Sequence, residues 1–164
     1  MIVQLETWEY EYASHIGIRR YTANWGKKDA AYYDPKKMED NRTALVAAAI
    51  GEIAVAKAIN EYWTASIWDG TDHPKFKDIP DVGPDIEVRR VRTQSGPAVR
   101  KKDLAKKGLY IFGVVPIAKE FKEVEILGWI PAEEGWEKGE ETFYGKVIPK
   151  ELLYPVEKWK RKKK

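Results

Sequence analysis

A chain of 164 residues, 43% hydrophobic and 12% aromatic, has the length of one domain and enough apolar surface for a core, which excludes wholesale disorder. Without cysteine it has no disulfide framework, no thiolate nucleophile and no Cys-based zinc site, and with neither a signal peptide nor an apolar run near 18 residues the expected place is the cytoplasm, with no membrane partner. The net charge is +3, but residues 157–164 carry six basic groups and one acidic one, a net of +5, so the remaining body is −2 and the basic balance describes the tail.

In chain order, the spacing predicts a first helix over Leu5 to Trp25, with Leu5, Trp8, Tyr12, His15, Ile16 and Arg19 on one apolar face and His15 as a hydrogen-bonded core histidine. Residues 26–41 are polar and broken by Asp34-Pro35, a loop. Thr43 to Trp63 is the strongest helix, rich in Ala, with a cap at Asp40 or Asn41. Residues 64–84, punctuated by Gly and Pro, read as loop with at most one short strand. Asp85 to Thr93 alternates as a strand, with Ile86 and Val88 on one face and Asp85, Glu87 and Arg89 on the other. A short polar helix follows over Arg100 to Lys107. Leu109 to Ile117 is the apolar run of a central strand, with Val124 to Ile130 as its hairpin partner, and a last short helix fits Pro149 to Leu153. The order predicts an α/β (α+β) fold, a small mixed sheet flanked by helices. It is expected as one domain over 1–156, followed by a disordered basic tail over 157–164.

Two places carry candidate chemistry. Glu52 falls in the middle of a helix face made by Leu45, Ala48, Ala49, Val55, Ala56, Ile59 and Trp63. A carboxylate buried there needs a cation: either a metal, or a structural partner such as Arg19 or Arg20. In the segment DIPDVGPDIEVRRVR, Glu87 and Arg89 point the same way from one strand, and Asp81 lies across a Gly-Pro turn. Carboxylates converging with a cation suit phosphodiester hydrolysis, in which Mg²⁺ activates water and neutralises phosphorane charge. An edge strand with cross-strand ion pairs would show the same three charges. His73, near Asp69 and Asp72, reads as a solvated loop histidine.

The combination of a helix glutamate in GEIA, then a proline-flanked aspartate, then E-x-[basic] on a strand, then the buried strand LYIFGVV resembles the PD-(D/E)XK nuclease superfamily. GEIAVAKAIN followed by DVGPDIEVRRVR is also similar to a group of phage-encoded proteins of like size. The resemblance spans His15 to Ile130 and implies a restriction-endonuclease-like fold and a Mg²⁺- or Mn²⁺-dependent nuclease acting on nucleic acid, DNA first. It assigns metal ligation to Asp81, Glu87 and Glu52, and puts Arg89 where the family has lysine. Arginine stays protonated, so Arg89 can stabilise phosphate charge but is a poor base. Asp85, in Pro84-Asp85, is the rival first aspartate; Asp81 is preferred because it can approach from a neighbouring strand. Arg90, Arg92, Arg100, Lys101 and Lys102 are expected to meet phosphates, as is the tail. Such nucleases often cut both strands as a homodimer. The alternative is a nucleic-acid-binding or interaction protein that keeps the fold without catalysis.

Overall fold

The computed structural model describes residues 1–23, 41–67, 78–92, 95–116, 122–143 and 145–160. Strands β1 (Ile2–Gln4), β2 (Ile86–Arg90), β4 (Tyr110–Pro116) and β5 (Glu123–Pro131) form a four-stranded sheet in the order β1-β5-β4-β2. β4 and β5 pair antiparallel, as a hairpin partner should, and β2 lies parallel to β4. Parallel neighbours need a crossover. Here it carries β3 (Ala98–Val99) and a 3-10 turn, Lys101–Ala105, where the sequence predicts a short helix. Helix α2 (Asn41–Ile59) packs on one face of the sheet, and α1 (Thr7–Ala23) packs on α2. The other face packs against α3 (Ala132–Lys138) and a three-stranded sheet of β3, β7 (Gly145–Val147) and β6 (Glu140–Thr142). The expected mixed sheet flanked by helices is the observed architecture.

The apolar period along β4 divides the core. Phe112 and Val114 join Ile50, Ile53 and Ile86 beneath the two long helices, while Ile111 joins Val99, Ile130 and Ile148 on the opposite side. Two glycines set how closely α2 can approach. A Cβ on Gly17 would lie 2.4 Å from the Val46 backbone, and one on Gly51 would lie 2.7 Å from the Val114 side chain. The helix ends at Ile59, four residues earlier than the Trp63 expected from the apolar run, and the next residue, Asn60, has a left-handed φ of 54°.

The predicted core face of α1 is a correction. The buried arc is Glu9, Ala13, Ile16, Gly17 and Arg20, whereas Trp8, Tyr12, His15 and Arg19 face solvent. Only Ile16 was placed correctly on that helix, and His15 is exposed rather than a core residue. The helix turns Gly17 towards α2, and that close crossing carries two charged residues inward with it. The loop at 26–40, the cap at Asp40, and His73 with Asp69 and Asp72 lie outside the described residues.

The C-terminal segment also differs from expectation as far as Lys160. A 3-10 turn, Val156–Lys158, sets Trp159 edge-on to Tyr110, Phe112 and Trp129, with ring centroids 4.9, 5.1 and 5.1 Å away. Such contacts add about 0.5–1.5 kcal/mol each to the burial of the ring. Trp159→Ala is therefore expected to lower unfolding free energy by about 2 kcal/mol in urea titrations.

Candidate active site

The hairpin at Gly83 builds the site. Val82 and Ile86 exchange both backbone hydrogen bonds, at 3.1 and 3.2 Å, around a Gly83-Pro84-Asp85 loop in which Gly83 has φ 55°. The left-handed φ suits glycine, which has no Cβ to clash. The Val82–Ile86 bridge is an isolated one, and across this turn the Glu87 charge acts on the Asp81 carboxyl. On its other side the segment pairs with Trp63, and Thr64 holds it from outside: its amide N–H donates to the Asp81 carbonyl and its hydroxyl to both the Pro80 and Asp81 carbonyls. Asp81 Oδ2 accepts the Val88 N–H at 2.8 Å.

Arg89 lies among these carboxylates. Its Nη1 is 2.8 Å from Glu87 Oε2 and 4.0 Å from Asp81 Oδ2, and its Nη2 donates to Asp103 Oδ1 at 3.0 Å. Asp103, 3% exposed, is fixed by the Arg100 N–H at 2.8 Å. Burial works against the Arg89 charge, but Glu87, Asp103 and Asp81 more than offset it and the guanidinium is held more firmly protonated than usual. Its Nε is buried and has no hydrogen-bond acceptor among the described residues.

Glu52 completes the group from α2. It is 5% exposed and its oxygens accept from Arg20 Nη1 and Nη2 at 2.7 and 2.8 Å, a two-pronged pair. Trp63 Nε1 also donates to Oε2 at 2.8 Å, and Arg20 Nε donates to the Ser66 carbonyl at 2.8 Å. Of the two options the sequence leaves open for this carboxylate, the structure shows the Arg20 pair. Three of its four lone-pair directions are thereby taken.

Asp81 records the convergence. Its pKa is raised well above the ordinary range, first by burial, then by the negative charges of Glu52 and Glu87, with Arg89 and the Val88 N–H only partly offsetting them. Asp81 thus feels the charges of Glu52 and Glu87 and lies 4.0 Å from Arg89 Nη1. Lysines stand at the rim of this group. Lys106 Nζ is 3.8 Å from Glu87 Oε1, and the Lys102 pKa is lowered by partial burial and by the Arg89 and Arg100 charges. Arg92, Arg100, Lys101 and Lys102 are exposed and Arg90 is half-buried. Asp103 and Lys106 are members that sequence reasoning missed. The one available signal was that both lie in the polar crossover after the strand.

The residues fit Mg²⁺ better than a metal with an all-protein cage. Among the described residues no three acidic or histidine side chains form a ready-made ligand set. Mg²⁺, however, is usually bound by one or two carboxylates with waters and substrate phosphates. Asp81 Oδ1 accepts no hydrogen bond among the described residues, and Glu87 Oε1 faces only the longer Lys106 contact.

Family models, curated proteins and solved structures yield no match to this chain.

The buried pair carries a stability prediction. Removing one partner of a buried ion pair costs about 3–5 kcal/mol, because the other charge is left unpaired. Glu52→Gln and Arg20→Met are each expected to lower stability by that order. The double change Arg20→Met/Glu52→Leu should recover most of the loss, as read by a double-mutant cycle in denaturant.

Proposed function

We propose that this chain is a divalent-metal-dependent nucleic-acid phosphodiesterase of PD-(D/E)XK type, acting on DNA. What supports the reading is that the Asp81 carboxyl, half-buried and 4.0 Å from Arg89 Nη1, feels the charges of both Glu52 and Glu87. Four carboxylates, counting Asp103, face the two buried guanidiniums of Arg20 and Arg89. Such an excess of like charge costs stability, and proteins concentrate it where function needs it.

Bound Mg²⁺ or Mn²⁺ supplies an activated water and neutralises charge on the phosphate. Asp81 and Glu87 would be the residues to hold the ion. Glu52 adds negative charge while its own oxygens stay tied to Arg20 and Trp63. Arg89 stands where a lysine would serve as a base, and its protonated guanidinium cannot take a proton. Its part is to hold Glu87 in register with Asp81 and to add positive charge beside the phosphate. Lys102, whose proton is lost more readily than an ordinary lysine's, brings a compact amine to the rim. Arg90, Arg92, Arg100 and Lys101 follow along the same strand and crossover, and position backbone phosphates.

A second reading has its own observation. Glu52 is closed by Arg20 and Trp63, and Glu87 by Arg89, so much of the charge is already compensated from within. That arrangement suits a protein that binds nucleic acid without cutting it.

Plasmid and oligonucleotide cleavage with Mg²⁺, Mn²⁺ and a chelator separates the two. The wild type should cut only with metal, and Asp81→Asn and Glu87→Gln should each lower the rate by at least about 100-fold. Inactivity of the wild type with both metals leaves the binding protein. Asp81→Asn should also stabilise the fold, with a sign set by the raised pKa. The native carboxyl holds its proton more tightly than the unfolded one, so its ionisation penalises folding only at higher pH. The gain from Asn is therefore absent below about pH 4, the unfolded value, grows as pH rises from there towards the folded pKa, and is constant above it.

A further inference from the structure

The solvent-facing stripe of α1 is the feature left unused. Trp8 is 64% exposed and Tyr12 49%, and His15 and Arg19 continue the same line at helical spacing. Large apolar side chains in a contiguous exposed row mark interaction sites more often than isolated ones do. This row also has a direction. Tyr12 stands edge-on to Trp63 at 5.6 Å, and the Trp63 indole N–H donates to Glu52 of the carboxylate cluster at 2.8 Å. Through Trp63 the stripe thus touches Glu52, the residue whose charge acts on Asp81.

We propose that the Trp8–Tyr12–His15–Arg19 stripe is a docking track for an unpaired nucleic-acid strand leading to the carboxylate cluster; this rests on reading that cluster as a phosphodiesterase centre. The chemistry favours this occupant. Exposed aromatic rings one helical turn apart offer faces on which bases stack whatever their sequence, and the Arg19 guanidinium meets a phosphate. The stripe is about 16 Å long, from 1.5 Å of rise per residue, and roughly one helix face wide. That is far below the ~800 Å² per partner that a stable protein–protein interface buries, so a second copy or a folded partner fits it poorly. A paired duplex keeps its bases stacked on each other and would offer the rings only its backbone. Glu11, also exposed, lies beside the stripe and is the one carboxylate on its flank within α1 that an incoming strand would oppose.

Fluorescence anisotropy of a labelled single-stranded oligonucleotide, with chelator present so that no cleavage occurs, tests the track. Trp8→Ala and Tyr12→Ala should each weaken single-strand binding about tenfold, the order of one base–aromatic stack, and should spare duplex binding. Arg19→Gln should weaken binding and flatten its salt dependence, and Glu11→Gln should tighten it. All four positions are exposed, and circular dichroism checks that each variant stays folded. The proposal is overturned if the wild type does not bind single strands, if both aromatic variants bind as the wild type does, or if they instead change the oligomeric state in sedimentation. Cleavage is scored separately. A wild type that binds through the stripe but never cuts refutes the phosphodiesterase reading and keeps the track, whereas a wild type that cuts while Trp8→Ala and Tyr12→Ala bind and cut unchanged refutes the track alone.

Discussion

Burying the Arg20–Glu52 pair is the constraint on which the rest of the structure depends. Two charges taken out of water are tolerated only with close geometry and further hydrogen bonds. Both conditions are met: a two-pronged contact, the Trp63 indole on one carboxylate oxygen, and the Ser66 carbonyl on Arg20. Each partner follows a glycine that lets its helix approach closely, Gly17 one turn before Arg20 and Gly51 immediately before Glu52. The pair therefore fixes α1 against α2 and both against the 63–66 segment. That segment in turn holds Pro80, Asp81 and Val82 beside β2. A charge pair that looks like simple structure thus places the catalytic candidates.

The same interaction explains which parts of the fold were legible in the residues. β4 and β5 were readable because Tyr110–Pro116 and Glu123–Pro131 are apolar, β-favouring runs that local pattern describes well. α2 was readable from its alanines. The phase of α1 was not, because two of its buried residues, Glu9 and Arg20, are charged, and two of its largest exposed ones are Trp8 and Tyr12. Hydrophobic periodicity assumes the reverse. The small sheet of β3, β6 and β7 is made of strands two or three residues long, too short to show an alternation. Trp159 was lost to the basic residues around it, since its packing depends on rings distant in sequence.

For the site, the hairpin logic was legible. Gly83-Pro84 marked a turn, and alternation put Glu87 and Arg89 on one face. The need of Glu52 for a cation followed from its helix position, and Arg20 was one of the two partners named. Asp103 was out of reach, because nothing in KKDLAKK says which polar residue turns inward; only the parallel crossover brings it under Arg89. Its presence alters the meaning of the arginine. Clamped between Glu87 and Asp103, Arg89 organises carboxylates.

In the proposed site a divalent cation relieves the charge that Glu52 and Glu87 place on Asp81. The most direct measurement is the ¹³C titration of the Asp81 side-chain carboxyl by NMR, with and without saturating Mg²⁺. The account predicts a titration above the ordinary carboxylate range in the absence of metal, moved down by Mg²⁺ as the ion displaces the proton. An Asp81 that titrates in the ordinary range and does not respond to Mg²⁺ would contradict it.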